Sequence, residues 1–393
     1  MLYTVSMISW VHYLIVFAVA AAVTVALVPA VRRLAVRVGA VDEPGPRRVN
    51  KKPIPRMGGL AMFGGIAAAV LFEYLLELVH VWPGPLLTLA PDDFRMVGVV
   101  IGIAVIVVVG VVDDIYSLRP LVKFAGQILA ACIIAFTGTL FAHFHMPGTP
   151  QIISLGFWAY PITIFYLVAF VNVINLIDGL DGLAAGITAI SALTLFVMMT
   201  TMSNNLAALM AIVLAAVCIA FLFFNFNPAS IFMGDSGSML LGLMLGTISL
   251  LGVARFASIT TTLVPIIIAF VPIIDTFGAI VRRLRGHKRI DEADSGHIHH
   301  RLLLRGYSQR KAVLLIYLWT AVLSIGTLVM WEVGGAAKYV SFIALVILSA
   351  IIVWRLGLFG PVRQRHGRGD VVYSNKGIDP DPDVPARHRR KNT

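Results

Sequence analysis

The 393-residue sequence predicts an all-α, polytopic integral membrane protein of about eleven transmembrane helices, and three observations carry that prediction. Hydrophobic residues make up 59% of the chain and charged ones only 13%, against roughly 25% charged in an ordinary soluble domain. The apolar residues arrive in runs of about 20, the length that crosses a hydrocarbon core of about 30 Å. The basic residues, finally, collect in alternate connections between those runs. One multi-span unit over 1–360 is therefore expected, followed by a polar, Pro- and Gly-rich tail over 361–393 that reads as disordered.

The spans are placed in order at 11–31, 58–79, 96–112, 124–142, 157–175, 183–202, 206–225, 237–253, 261–281, 312–332 and 339–358. The first is read as retained, because no Lys or Arg precedes it in the first ten residues and it ends in Arg32, Arg33 and Arg37 instead of a small-residue cleavage site. With the N-terminus outside, the connections 32–56, 113–123, 282–311 and the tail from 355 are cytoplasmic and carry 8, 2, 9 and 9 basic residues. The outer connections then hold Arg95, Arg255 and Lys338, a split of 28 to 3. One miscounted span would reverse the parity after it and destroy this segregation. The formal charge of +11 thus reads as orientation and contact with anionic inner-leaflet lipid, and nucleic acid is not expected as a partner. Cys132 and Cys218 both fall inside apolar runs, which argues for packing and against a disulfide or thiolate metal site.

On this topology the polar motifs gather at the cytoplasmic helix ends, while the outer side holds only scattered Glu73, Glu77, His80, Asp92, Asp93, His143 and His145. In "VVDDIYSLRPLVKF", adjacent helical residues diverge by about 100°. One of Asp113 and Asp114 should therefore face a site and the other a helix neighbour or cation, with Lys123 the cation at hand. In "NVINLIDGLDGLAAG", Asn172, Asn175 and Asp178 share a slowly drifting helix face before Gly179 and Gly182 let the backbone break. Asn172 reads equally as interhelical glue; amides and carboxylates together suit Mg²⁺, whose shell waters and substrate phosphates complete. In "FMGDSGS", Asp235 and Ser236 stand just before a helix, either as an ordinary N-cap or as a phosphate-binding helix start with Asp235 on the metal. "GHIHHRLL" brings His297, His299, His300 and Arg301, a set suited to a phosphorylated ligand, with zinc binding and a plain solvated basic loop as alternatives. Metal, carboxylates and cationic groups on one membrane face point to phosphoryl chemistry.

"KKPIPRMGGLAMF", "VVDDIYSLRPLVKFAGQ", "NVINLIDGLDGLAAG", "FMGDSGSMLLGLML" and "HIHHRLL", in that order, closely resemble the polyprenyl-phosphate N-acetylhexosamine-1-phosphate transferases over roughly residues 12 to 330. Within them the chain is most similar to the bacterial undecaprenyl-phosphate N-acetylglucosamine-1-phosphate transferases. The resemblance implies transfer of N-acetylglucosamine 1-phosphate from UDP-N-acetylglucosamine to undecaprenyl phosphate, with release of UMP, at the start of teichoic acid, O-antigen or arabinogalactan-linker synthesis. It also implies Mg²⁺, replaceable by Mn²⁺, an inner-membrane location, and room for a homodimer. Carried over motif by motif, Asp113, Asp114 and Asp178 are the catalytic acids, and Asn175 and Asp235 the metal ligands. Lys123, Asn172, Asp181 and the His297, His299, His300 and Arg301 loop fall to substrate, with Asp181 towards the uracil and the loop towards pyrophosphate and sugar. Ile298 interrupts the three successive histidines of the relative that transfers phospho-MurNAc-pentapeptide, which favours a simple N-acetylhexosamine donor.

A phosphate monoester has its second pKa near 6, so the lipid phosphate reaches neutral pH already ionised. Asp113 is accordingly expected to position nucleophile and metal, not to remove a proton. Two rival readings are a membrane prenyltransferase, in which the His loop has no task, and an ion-coupled transporter, which would keep its ionisable groups near mid-membrane. Asp275 lies about two turns inside the ninth span, away from the cytoplasmic helix ends, and it reads either as functional or as paired with a neighbouring helix.

Overall fold

The computed structural model describes residues 2–44, 52–79, 94–145, 152–256, 267, 269–285, 296–333 and 335–358. Twelve helices account for most of it: α1 (Leu2–Arg37), α2 (Gly58–Leu78), α3 (Arg95–Tyr116), α4 (Pro120–Phe136), α5 (Ala159–Ile177), α6 (Leu183–Thr201), α7 (Asn205–Asn225), α8 (Gly234–Phe256), α9 (Phe270–Arg285), α10 (Ile298–Leu304), α11 (Gln309–Glu332) and α12 (Gly335–Leu356). Among the described residues nine are long and apolar enough to cross a membrane, and α4 is a shorter apolar helix of 17 residues. The start of the ninth expected span, the outer acids Asp92 and Asp93, His80 and the tail 361–393 lie outside the described residues. The protein is thus an all-α polytopic membrane protein.

α8 is the hub of the bundle, packing against α2, α3, α5, α6 and α7. Small residues make that possible: a side chain on Gly242 would lie 2.6 Å from the Phe170 carbonyl of α5, and Gly246 repeats the contact one turn on. Such small faces let membrane helices approach closely where no hydrophobic drive exists between them. α12, by contrast, packs on α11 and α10 at the edge and leaves most of its surface exposed.

Two short antiparallel pairs, β1 (Val41–Asp42) with β2 (Ile54–Pro55) and β3 (His143–His145) with β4 (Ile152–Ser154), lie at opposite ends of the bundle. The first matters for the site. Arg56 bridges to Asp42 at 2.8 Å, and the Pro55 carbonyl accepts from Phe232 N at 2.8 Å. Gly58 N and Gly59 N in turn donate to the Phe232 and Met233 carbonyls, which pins the "KKPIPRMGG" segment to the start of α8.

Candidate active site

The four polar motifs do meet at one end of the bundle, around the first turn of α8. α3 continues to Tyr116, four residues past the expected span, so Asp113 and Asp114 are both still helical and diverge as their spacing requires. Asp114 takes the helix neighbour: its Oδ1 accepts from Asp235 N at 2.8 Å, and its Oδ2 from Ser236 Oγ at 2.7 Å and Ser236 N at 3.2 Å. Asp113 takes the cation, with Oδ2 3.0 Å from Lys123 Nζ and Oδ1 accepting from Leu118 N at 2.7 Å. Both carboxylates are buried.

These contacts correct the expectation for "FMGDSGS". Asp235 and Ser236 lie inside the first turn of α8, not before it, and their N–H groups are not free for a phosphate because Asp114 already accepts from them. A carboxylate at a helix N-terminus is favoured by the macrodipole, which also resolves why α3 carries acids at its own unfavourable end. Gly234 makes the approach possible: it sits at φ +70°, and a side chain there would come within 2.4 Å of Asp114 Oδ1.

Asp235 is the shared residue of the site. Its Oδ1 accepts from Lys123 Nζ and, at 2.5 Å, from Asn175 Nδ2, which also donates to Ser238 Oγ at 2.8 Å. Asp178 ends α5, half-buried, and forms no hydrogen bond with the described residues. Burial and the neighbouring carboxylates of Asp235, Asp114 and Asp181 push its pKa up to about 8. Asn172 is turned away from this group, donating to Gln127 Oε1 at 2.7 Å and the Val168 carbonyl at 2.8 Å; its amide serves helix packing between α5 and α4.

Asp181 belongs to a second cluster. Its Oδ2 accepts from Asn227 Nδ2 at 2.9 Å and Ala229 N at 3.1 Å, and Asn227 also donates to Gln309 Oε1 at 2.8 Å. Asn225, fully buried, accepts from Gly182 N at 3.0 Å and donates to the Ile231 carbonyl at 3.0 Å, fixing the bend after Asp181 to the turn before α8. Sequence reasoning missed Asn225, Asn227, Gln127, Ser238 and Gln309. The signal for two of them stood in "NFNPAS", where amides sit at an apolar helix end.

The histidines form the short helix α10, not an open loop. His297 and His299 stack with centroids 5.6 Å apart, and His300 lies 4.3 Å from His299. His299 reaches over the bend of the third motif: a side chain on Gly179 would lie 2.5 Å from its Nε2, so only glycine fits there. Its Nδ1 is buried without a hydrogen-bond partner, and burial together with His300 and His297 holds its pKa well below the usual imidazole range. Arg301 is buried and donates its Nε to the Gly296 carbonyl at 2.8 Å, so part of the guanidinium expected to hold the ligand holds its own loop instead.

A divalent metal fits this donor set. Among the described residues no three His, Cys, Asp or Glu side chains converge on one point, so no closed protein cage exists. Asp235 and Asn175 would supply hard oxygens from adjacent helices, with the unpartnered Asp178 carboxylate beside them. That leaves most of a shell to waters and substrate phosphates, the usual mode for Mg²⁺.

Known proteins resemble this chain along most of its length. Residues 96–253 match the family model described as glycosyl transferase family 4. A probable undecaprenyl-phosphate N-acetylglucosaminyl 1-phosphate transferase of Bacillus subtilis (strain 168) is 38% identical over 342 residues, covering 87% of this chain and 91% of that protein. The decaprenyl-phosphate N-acetylglucosaminephosphotransferase of Mycolicibacterium smegmatis is 37% identical over 83% and 85% of the two chains. An undecaprenyl-phosphate alpha-N-acetylglucosaminyl 1-phosphate transferase of Yersinia pestis is 25% identical over 84% and 85%. With five ordered motifs brought to one end of the bundle and such relatives along most of its length, the chain belongs to glycosyl transferase family 4, as a polyprenyl-phosphate N-acetylhexosamine-1-phosphate transferase.

Proposed function

We propose that the protein transfers N-acetylglucosamine 1-phosphate from UDP-N-acetylglucosamine to undecaprenyl phosphate, giving undecaprenyl-pyrophosphoryl-N-acetylglucosamine and UMP, as the first step of a cell-wall polysaccharide. The observation that carries this reading is the Asp113–Lys123–Asp235–Asn175 chain of contacts, which draws acids, an amide and one ammonium from α3, α4, α5 and α8 to one end of the bundle. The 28-to-3 split of basic residues supports placing that end at the cytoplasmic face of the inner membrane, with the N-terminus outside.

In this reaction an oxygen of the acceptor phosphate attacks the sugar-side phosphorus of the donor, and the bond from that phosphorus to the bridging oxygen breaks, releasing UMP. Asp235 and Asn175 would hold a Mg²⁺ ion, which would supply charge stabilisation to the phosphate oxygens. Asp113, fixed by Leu118 N and Lys123, holds the ammonium in register with Asp235, so that Lys123 is placed to meet the acceptor phosphate. Asp114 keeps the start of α8 closed and hence Asp235 in place. The Asp181–Asn227–Gln309 cluster, held together by its own hydrogen bonds, is assigned to the nucleotide, and the stacked His297, His299 and His300 to the donor's diphosphate and sugar. The prenyltransferase reading leaves α10 without a task.

The test is release of UMP from a panel of UDP-sugars with undecaprenyl phosphate, with and without Mg²⁺ or Mn²⁺. Strong preference for UDP-N-acetylglucosamine and loss with chelator is the expected result, and phospho-MurNAc-pentapeptide transfer would replace the reading. Asp113→Asn distinguishes its two roles: activity that is lost at pH 6 but recovers strongly at pH 9 would make Asp113 a base after all.

A further inference from the structure

Asp275 is a buried acid that the reaction leaves unused. It lies in α9, 1% exposed, where an intramembrane carboxylate needs a partner. Its partners are in the histidine segment: Oδ2 is 2.8 Å from His297 Nδ1, and Oδ1 accepts from Ile298 N at 2.7 Å. The two contacts grip one side chain and the adjoining backbone at the start of α10. Seven residues on, Arg282 lies on the same face of α9 and packs so closely on Gly296 that a side chain there would come within 2.3 Å of its Nε. One face of α9 therefore seats residues 296–298, while His299 and His300 are the other titratable groups against the His297 ring.

We propose that Asp275 is a positioning residue of the transfer reaction: by accepting from His297 Nδ1 and Ile298 N it fixes the orientation and tautomer of that imidazole, so that Nε2 is the nitrogen offered to the nucleotide-sugar donor. This rests on the transferase reading above. The ring nitrogen that carries the proton is set by the hydrogen bond made at the other. An ionised carboxylate can only accept, and on this proposal the ring proton is therefore on His297 Nδ1. The same pair removes the case for Asp275 as a transport residue, since its two oxygens face the polar end of the bundle and are occupied there.

Asp275→Asn reverses one contact while keeping the other. The amide oxygen still accepts from Ile298 N, but the NH₂ now donates to His297 Nδ1, which drives the proton to Nε2. The experiment is ¹⁵N NMR of the full-length, histidine-labelled protein in lipid nanodiscs, with His297→Gln assigning the resonance, alongside donor and acceptor kinetics of UMP release. The wild type is expected to show the Nδ1–H form and Asp275→Asn the Nε2–H form. Donor KM should rise about tenfold in Asp275→Asn with acceptor KM within about twofold, and the effect should shrink to about twofold when His297 is already Gln. A wild-type Nε2–H tautomer overturns the proposal even where the variant does not fold. So does an Asp275→Asn effect that persists in full without His297, or that falls equally on donor and acceptor. Absence of UMP release from the wild type would instead overturn the transferase reading and leave the tautomer result standing.

Discussion

The two ends of the bundle handle buried charge in opposite ways. Glu73, about 22 Å along α2 from Gly58 at 1.5 Å per residue, is buried and hydrogen-bonded to His12 of α1. Around it are the edge-to-face rings of Trp10, Tyr13 and Phe196, and nearby a largely apolar cavity of about 480 Å³ lined by residues such as Phe63, Val70 and Met210. That acid is met by an imidazole. At the other end, Asp113, Asp114, Asp178 and Asp235 lie close together; among the described residues Lys123 is the ammonium that bridges Asp113 and Asp235, and Asp178 forms no hydrogen bond. The Glu73–His12 contact is compatible with a purely structural role, whereas clustered carboxyls in excess must take up protons, as the raised pKa of Asp178 shows, or a countercharge from elsewhere. The difference separates structure from function within one sequence.

The sharpest way to break the comparison is at its centre. Asp235→Asn keeps the shape of the side chain but removes the charge shared by Lys123 and Asn175, and UMP release should fall about 10²- to 10³-fold with little change in thermal melting. Next comes Asp114→Ala, which strips two backbone N–H groups and the Ser236 hydroxyl of their acceptor. It should cost about 3 kcal/mol of stability, read as a lower unfolding midpoint in detergent, and activity should fall with it. Glu73→Gln tests the opposite end: a loss of about 1–2 kcal/mol is expected with UMP release within about twofold of wild type. If Glu73→Gln abolished turnover while the protein stayed folded, the distinction between the two ends would be lost.

The smallest expected effect is on pH. His299 is kept neutral by burial and by His297 and His300, so below about 6.5 the unfolded chain binds a proton that the folded one does not. Its contribution therefore weakens stability as pH falls through the unfolded value, by about 1 kcal/mol between pH 7.5 and 5.5. His299→Gln should flatten the melting profile over that window in the ligand-free protein, and an unchanged slope would mean the ring is already protonated when folded.

Much of the fold was legible because the bilayer imposes a simple rule. A helix that must bury its own backbone groups in lipid announces itself by about 20 apolar residues, and α2, α5, α6, α7 and α11 fall within a few residues of where the runs place them, while α1 extends well beyond its run at both ends. The fourth and ninth spans were harder, since α4 is short and α9 carries Arg282, Arg283 and Arg285. For the site, the sequence named the motifs but not the division of labour inside them. Asn172 and Asn175 have the same chemistry and lie three residues apart, yet one meets Gln127 and the other Asp235.

What the sequence by itself determined, then, was local: span length and order, the segregation of basic residues, and which polar residues stand at helix ends, all set by short-range composition and the membrane's thickness. Only the tertiary structure decided the partners. Asp114 closing a helix that begins 120 residues later, Lys123 reaching Asp235 across 112, and Asp275 seating His297 depend on how close glycine-lined helices can come. No periodicity records those distances, because a hydrogen bond between helices is fixed by their packing and not by the spacing along either one.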